Sequence, residues 1–549
     1  MTDAGSGAVE PEARSTVGAG RGSPVQTAGW WPFALALILL IAAILRLHDL
    51  PARGTWDADQ GHDMLVMTDF VQHGTAPLLG PPTSIGDFHH GALYYYVLAP
   101  AAWIGGGDPT IVVGEIALLG IAAVGLVAAL ARSAAGPVAG IASGLIMAAS
   151  STAVDESTFL WNPNIVAFGS ALAVAAGWRA WTSRNPRWWL VAAVGQAITQ
   201  QGHILGWALL PALAVWLIAD ARRRDRPERA RVLAAGFGAL ILIAASYLPL
   251  LASELQTGFH ETRAAVAFLS GGGQASSADP IVRLVFVTLR ILSWPLTGLL
   301  TGALAPGVVA GVGVAALLVW RARRADEPER SLARWILVTV LWSCFVLGVG
   351  VSSLASVTPL PVDHYHAFLD PLVDLALGLG VAGLWQAAPA VSAAMANRLG
   401  SLTPGRVAAV AIVGALVAWN LATQPPAVAH DGGFPAAEAA AGRVGGVLAG
   451  RAALIVSLPE FKTAEAYLYP ARRLGLAVGS AVADPMGLDR LIVLCDDLFV
   501  QQCGGAAEDA AARAYATTAW GPGEAGIAVL DRFRPAPGRT ISVYRLGPG

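Results

Sequence analysis

Three acidic residues and a histidine gather in the short segment WDADQGHDM near the start of the chain. Asp57, Asp59 and Asp63 lie within seven positions, and His62 stands next to the last of them. Carboxylates and imidazoles take and give protons, so this segment predicts general acid or base chemistry on an attacking hydroxyl. The segment directly follows the apolar run WWPFALALILLIAAILRL. We therefore expect potential acid–base groups at the mouth of a membrane-spanning helix.

Further polar clusters occur in loops that we predict on the same side of the membrane. A second acid pair, Asp155 and Glu156, lies in VDESTFLWNPN. Acids beside a membrane are costly and are usually kept for function, so their convergence on one face favours a site there. The other candidates for substrate binding, besides Asp63 and His62, are His89, His90, Tyr94, Asn162, His203, Glu254, Arg263, His364 and Tyr365.

The composition is that of a polytopic membrane protein. The chain has 549 residues, of which 55% are hydrophobic and 13% charged, and its mean hydropathy is +0.58. Several apolar runs reach the roughly 20 residues that span a bilayer core. The net charge of −2 comes with no basic surface that would suit nucleic acid, so we exclude nucleic-acid binding.

The arginines predict the topology. Loops rich in arginine mark the cytoplasmic side, and four of them lie at 182–188, 220–231, 321–334 and 397–406. With the N-terminus inside, eleven crossings alternate correctly. They lie near 30–47, 110–131, 137–153, 164–181, 188–201, 204–219, 231–252, 301–320, 335–352, 367–388 and 407–422.

Two more apolar stretches, 91–104 and 283–299, would break the alternation if they crossed. The second contains Arg283 and Arg290, which are costly in mid-membrane. We expect both to lie as helices at the outer interface. The alternative is that one or both cross, which would change the number of crossings.

The sequence divides into three parts. Residues 1–29, rich in Ala, Gly and Ser, predict a disordered cytoplasmic tail. Residues 30–425 form the all-α membrane domain, and residues 426–549 alternate β-like and helical runs typical of a small α/β domain. Eleven crossings place this last domain outside the cytoplasm, where Cys495 and Cys503 would form a disulfide.

Taken together, these motifs resemble those of the integral-membrane glycosyltransferases of the GT-C fold. The resemblance is strongest to the family 39 group, related to protein mannosyltransferases and lipid A aminoarabinose transferases. It covers most of residues 30–425 and rests on the order of DADQGHD, GPPTS, HHGALYYY, LWNPN after the second acid pair, a histidine after glutamines, and ELQTGF. It implies a GT-C-like fold and a hexosyl- or pentosyltransferase in the plasma membrane.

This resemblance assigns roles to single residues. Such enzymes take a sugar from a polyprenyl-phosphate donor to an extracytoplasmic glycan, lipid or protein acceptor, and Asp59 corresponds to the catalytic base, with Asp57 as the alternative. Many relatives have Asp-Glu where this chain has Asp59 and Gln60. This departure leaves open whether a second carboxylate is supplied locally or by Asp63.

Three questions stay open at this point: metal dependence, the group that binds the donor phosphate, and the function itself. Asp155 and Glu156 match acids that bind a divalent metal, Mg²⁺ or Mn²⁺, in some GT-C enzymes, while others work without metal. The membrane domain contains no lysine, so the donor phosphate would depend on Arg263, Arg53, a histidine, backbone N–H groups or a metal. The alternative function is a transporter or flippase of a lipid-linked saccharide, which would need polar groups through the midplane.

Overall fold

The computed structural model describes ten segments of the chain. These are residues 29–83, 87–270, 279–298, 304–350, 364–387, 403–459, 464–480, 488–497, 503–521 and 525–548. The predicted disordered tail therefore lies outside the described residues, except for Gly29. Eighteen helices, labelled here in chain order, build the first domain within these segments.

Helices form nearly all of this domain. Their bounds are α1 Trp31–Leu47, α2 Leu50–Arg53, α3 Ala58–His73, α4 Leu93–Ile104, α5 Pro109–Ala135, α6 Pro137–Ala149, α7 Ser151–Asp155, α8 Val166–Ser183, α9 Trp188–Gly202, α10 Leu209–Arg222, α11 Arg226–Ala245, α12 Leu248–Thr257, α13 His260–Ser270, α14 Pro280–Thr297, α15 Leu304–Arg324, α16 Glu329–Phe345, α17 Asp370–Gln386 and α18 Pro404–Ala422.

Local sequence explains where the helices near the site begin and end. Asp57 caps α3, and the side chain of Gln60 accepts a hydrogen bond from the Asp57 backbone N–H at 2.8 Å, which completes a capping box. Gly74 ends the helix at a φ of 77°, in the left-handed region that glycine adopts readily. The acidic motif thus forms the first turn of α3.

The bundle confirms the prediction of a polytopic membrane protein. Among the described residues, eight helices are long and apolar enough to cross a membrane, or nine if α11 and α12, bent by 45°, form one span. Shorter apolar helices, including α1 and α6, pack within the same bundle. α17 lies at its centre, since its residues are almost entirely buried.

Contacts at the ends of α4 indicate that it does not cross. At its start, the Leu93 N–H donates to Oε1 of Gln201, at the end of α9, at 3.0 Å. Just beyond its end, the Gly107 carbonyl accepts a hydrogen bond from Tyr469 of the C-terminal domain. Both ends therefore lie on one face of the bundle, which favours the predicted interfacial position.

Helix α14 is long and apolar enough to cross, but its ends also share that face. At its C-terminal end, the Thr297 carbonyl accepts from Trp419 Nε1 at 2.8 Å, near the end of α18. Toward its start, Leu284 packs against Gly348. Gly348 follows Trp342, whose Nε1 donates to Ala208, close to the end of α9. These contacts favour the interfacial position that we predicted for 283–299.

A small α/β domain follows, as predicted. It contains helices α19 Gly433–Leu448, α20 Ala464–Arg473 and α21 Ala506–Trp520, and strands β1 Ala453–Leu458, β2 Val478–Ser480, β3 Arg490–Asp496, β4 Ala525–Ala536 and β5 Arg539–Pro548. The sheet order is β2-β1-β3-β5-β4. β1 pairs in parallel with β2 and β3, whereas β5 pairs antiparallel with β3 and β4.

The carboxyl ends of the central strands turn toward the membrane domain. Asp496 ends β3, and Cys495 beside it forms a disulfide with Cys503. Helix α20, which follows β1, packs on α3, and the Trp56 ring lies 4.6 Å from the ring of Phe434 in α19. The C-terminal domain therefore sits on the face that carries the acidic motif.

Candidate functional site

A cavity of about 140 Å³ opens where the acidic motif meets the C-terminal domain. The first turns of α3 form one wall, and the turn between α9 and α10 forms another. Its lining residues are Ala58, Asp59, His62, Asp63, Pro81, Pro82, Thr83, Phe88, His90, Trp161, Asn162, Pro163, His203, Ile204, Leu205, His364, Tyr365 and Glu465.

Asp57 and Asp59 occupy different positions although one residue separates them. Asp57 accepts from the Ala58 N–H at 2.8 Å as the helix cap, and its Oδ1 lies 2.9 Å from Nη2 of Arg539 in β5. Asp59 is exposed and lines the cavity. Only Asp59 of the two faces the space where a substrate could bind.

Asp63 lies one turn deeper and is only 1% exposed. Tyr94 and Tyr95 donate hydrogen bonds to its two oxygens at 2.9 and 2.8 Å. Burial raises the pKa of Asp63 to about 7, although these hydroxyls and His62 act in the opposite direction. Asp63 therefore carries a proton in part of the molecules near neutral pH, and Tyr94 supports it rather than facing the cavity.

His62 pairs with Glu465, a residue of the C-terminal domain. Its Nδ1 lies 3.1 Å from each carboxylate oxygen, and the two side chains are 34% and 39% exposed. Burial lowers the pKa of His62, but the hydrogen bond to Glu465 and the charges of Glu465, Asp63 and Asp59 outweigh it, so the net shift is upward.

The backbone of α20 touches α3 at this point. A Cβ added to Gly61 would lie 2.1 Å from the Glu465 carbonyl oxygen, so only glycine permits this approach. Trp56 Nε1 donates to the carbonyl of Ala466 at 2.7 Å. The two domains are therefore fitted tightly together around the pair formed by His62 and Glu465.

Histidines and aromatic rings line the opposite wall. The His203 ring lies 5.4 Å from that of His90 and 5.1 Å from that of His364, and Trp161 lies 4.2 Å from His364. Burial, with smaller contributions from His364 and His89, lowers the pKa of His90 to about 3. Burial likewise lowers the pKa of His203, well below its ordinary value. This wall is therefore polar but largely uncharged.

Asn162 and Tyr365 complete the set of predicted residues that the cavity brings together. The Asn162 amide donates to the Gly202 carbonyl at 2.6 Å, which ties the second acidic loop to the end of α9. Tyr365 lies 4.5 Å from the ring of His364.

The second acid pair lies away from the cavity. Glu156 is buried, and burial together with the charges of Asp370 and Asp155 raises its pKa well above the ordinary value. Burial also raises the pKa of Asp155 to about 6, against the charge of Arg53. His366 Nδ1 lies 3.3 Å from Asp370 Oδ1 beside this cluster.

Four other predicted residues lie outside the cavity. Glu254 accepts from the backbone N–H and hydroxyl of Thr262 at 2.8 and 2.7 Å, and thus ties α12 to α13. Arg263 donates to the Gly258 carbonyl and borders a separate surface depression. His89 pairs with Glu261 at 3.1 Å, and Arg53 donates to the Leu45 carbonyl at 2.5 Å.

Arg53 and Arg263 do not line the cavity, although the sequence made both of them candidates for binding the donor phosphate. Their hydrogen bonds are local, because each donates to a carbonyl no more than eight residues away. The sequence does not show that the guanidinium group of each arginine is hydrogen-bonded to a nearby backbone carbonyl.

A divalent metal at Asp155 and Glu156 stays a prediction. Within the described segments, no three His, Cys, Asp or Glu side chains converge closely enough to hold a metal ion. We therefore assign no step of a reaction to Mg²⁺ or Mn²⁺.

Sequence reasoning missed the contribution of the C-terminal domain. Glu465 lines the cavity, and Arg539 binds both Asp57 and the Trp56 carbonyl, the latter at 3.0 Å. No local pattern marks either residue, since each acquires its role only when the two domains dock.

Comparison with known proteins agrees with this architecture. Residues 89–248 match the sequence model of a family described as dolichyl-phosphate-mannose-protein mannosyltransferase. No curated protein sequence matches the chain significantly.

The structure is similar to that of ArnT from Cupriavidus metallidurans. The form bound to undecaprenyl phosphate aligns with a TM-score of 0.57 and 13% identity, and the apo form with 0.58 and 14%. Each alignment covers 94% of this chain and 98% of ArnT. The archaeal oligosaccharyltransferase AglB from Archaeoglobus fulgidus aligns more weakly, with a TM-score of 0.47, 13% identity, and 95% and 74% coverage.

The predicted resemblance is thereby confirmed. The chain has the GT-C fold of ArnT over almost its whole length, and residues 89–248 are similar to a mannosyltransferase family.

Proposed function

We propose that this protein is a membrane glycosyltransferase that moves a sugar from a polyprenyl-phosphate donor to a hydroxyl of an extracytoplasmic acceptor. The single observation that carries this proposal is the position of Asp59, an exposed carboxylate that lines a cavity on one face of an apolar bundle. The match to a mannosyltransferase family over residues 89–248 supports it.

The cavity has the chemistry that sugar transfer needs. The acceptor oxygen forms a bond to the anomeric carbon while the bond from that carbon to the phosphate oxygen breaks. The acceptor proton passes to Asp59, and the lipid phosphate leaves with the electron pair of the broken bond. Asp57 is a poorer base because Arg539 and the Ala58 N–H both bind its Oδ1, and because it does not line the cavity.

The rim of the cavity suits a donor held in the bilayer. Ile204 and Leu205 line the cavity, and Ile204 and Trp207 are 41% and 43% exposed on the bundle surface. An apolar rim beside a polar cavity lets a polyprenyl tail stay among lipids while its phosphosugar enters. Trp161 and Asn162 offer a ring face and an amide for sugar hydroxyls.

The compartment and the sugar class are part of the proposal. We place the cavity and the C-terminal domain on the extracytoplasmic side of the plasma membrane, since the arginine-rich loops lie at the other ends of the helices. The transferred sugar is a hexose or a pentose, and the acceptor is a glycan, a lipid or a protein.

The test offers purified protein in lipid nanodiscs a panel of polyprenyl-phosphate hexoses and pentoses with an extract of envelope acceptors. We expect one donor to be consumed with release of polyprenyl phosphate and labelling of an acceptor, and Asp59→Asn to lower the rate of both by about 10²–10⁴-fold. A parallel assay uses the same proteins reconstituted in lipid vesicles. Movement of intact donor from one leaflet to the other, without cleavage and at the same rate in the wild type and in Asp59→Asn, would favour the flippase instead.

A further inference from the structure

The cavity has an unusual charge distribution for a site that handles a phosphate. Among its lining residues in the described segments, no arginine or lysine occurs, whereas three carboxylates do. A leaving phosphate needs a cation or hydrogen-bond donors near the breaking bond. The histidines are the remaining side chains that can carry positive charge there.

The four lining histidines differ in their surroundings. Burial lowers the pKa of His90 and His203, so these rings stay neutral near pH 7. His62 faces Glu465 from the C-terminal domain and stands beside Asp59 and Asp63 on its own helix. His90, His203, His364 and Tyr365 are the other titratable groups that line the same cavity.

We propose that Glu465 is a positioning residue that holds His62 as an imidazolium facing the donor phosphate, so that the C-terminal domain completes the transfer site. With Nδ1–H donating to Glu465, Nε2–H is left to donate to a phosphate oxygen as negative charge develops there. This inference rests on the proposed function.

Contacts between α3 and α20 also fix the position of the His62 ring relative to Glu465. His62 lies in the second turn of α3, near the positive end of the helix dipole, which attracts a phosphate but disfavours an imidazolium. The charge of Glu465 is therefore needed to keep the ring protonated. The close contact of Gly61 with the Glu465 carbonyl and the bond from Trp56 to Ala466 hold α20 against this turn. The carboxylate therefore cannot move away from the ring without moving the domain.

The experiment compares Glu465→Gln with Glu438→Gln in the full-length protein in nanodiscs. The first substitution keeps the size and hydrogen bonding of the side chain but removes its charge. Glu438 is a matched control, because it pairs with Arg473 on the surface of the same domain, away from the cavity lining. The pKa of His62 is measured by NMR with labelled histidine, its signal assigned through His62→Gln.

We expect Glu465→Gln to lower the pKa of His62 and to move the alkaline limb of the transfer rate to lower pH. Above that limb the rate falls about 10-fold for each pKa unit lost. Glu438→Gln should change neither quantity. The inference is overturned if Glu465→Gln leaves the His62 pKa unchanged, or if it lowers that pKa without moving the rate profile.

These outcomes are separable from a failure of the proposed function. If the wild type consumes no donor in the panel, the glycosyltransferase proposal fails, whatever NMR shows for His62. If the wild type transfers sugar and Glu465→Gln behaves as Glu438→Gln, the transferase stands and the role of Glu465 does not.

Discussion

Asp59 and Glu156 are both carboxylates on loops of one face of the bundle, yet their surroundings differ. Asp59 is exposed to the cavity, in the first turn of α3. Glu156 is buried beside Asp370, and the resulting rise of its pKa favours the protonated form. A carboxylate that faces the cavity is placed to accept a proton from a bound acceptor, whereas a buried protonated one cannot. The burial of the side chain therefore distinguishes the two acids, which their positions in the sequence do not.

The largest expected effect comes from removing the exposed carboxylate. Asp59→Asn keeps the size of the side chain but cannot take the acceptor proton, so transfer should fall by about 10²–10⁴-fold. Donor affinity and thermal stability should stay near those of the wild type. Transfer rate, donor binding and Tm at matched expression check this prediction, and a wild-type rate would show that Asp59 is not the base.

The second-largest effect is the contribution of Asp63 to the pH dependence of the free energy of unfolding. The pKa of Asp63 is about 7 in the folded protein against an ordinary value of 3.8. Between these values the folded state binds more protons, so the free energy of unfolding falls as pH rises from about 4 to about 7. The whole loss is at most roughly 4 kcal/mol.

Asp63→Asn cannot ionise and should lack this component. The Tm of the detergent-solubilised protein should therefore drop less between pH 5 and pH 8 in this variant than in the wild type. Equal drops in the two proteins would mean that Asp63 keeps an ordinary pKa.

A smaller effect is expected for the buried acid. Glu156→Gln replaces a protonated carboxyl by a neutral amide of similar shape, away from the cavity, so transfer should stay within about 10-fold of wild type, less than the loss of a general base would cost. Transfer assays with and without a chelator check this. A larger loss, together with inactivation by chelation and recovery with Mg²⁺ or Mn²⁺, would instead make Glu156 and Asp155 metal ligands.

The smallest effect should come from Asp57. Asparagine caps a helix about as well as aspartate, and Arg539 keeps its contact with Asp496 and its hydrogen bond to the Trp56 carbonyl. We expect Asp57→Asn to lower the Tm slightly and to leave transfer nearly unchanged. If its transfer rate falls as far as that of Asp59→Asn, Asp57 takes over as the candidate base.

Much of the fold could be predicted because its signals are local. Apolar length revealed the helices and arginines predicted one face. The number of crossings stays a prediction, although contacts at the ends of α4 and α14 favour the parity that it assumed. The residues that line the cavity could be predicted for the same reason. Asp59 and His62 follow the first membrane helix in the sequence, and His203 follows α9, so all three fall in connections on the same side.

Roles that depend on distant contacts could not be predicted. From the sequence, Asp57 was the close alternative to Asp59 as the base, and its ion pair with Arg539 could not be foreseen. Arg263 looked like a free cation until its guanidinium bonded to the Gly258 carbonyl. Glu465 carried no signal, because a glutamate in a helix of a soluble-like domain is ordinarily a solvated side chain.

The pairing of His62 with Glu465 has a consequence for biosynthesis. The two residues are 403 positions apart in the chain, so the wall that Glu465 provides is absent while the membrane domain is being inserted. It forms only after translation has passed the last span and the following domain has folded. A ribosome that stalls before that point leaves a helical bundle in the membrane whose cavity lacks the wall that Glu465 provides.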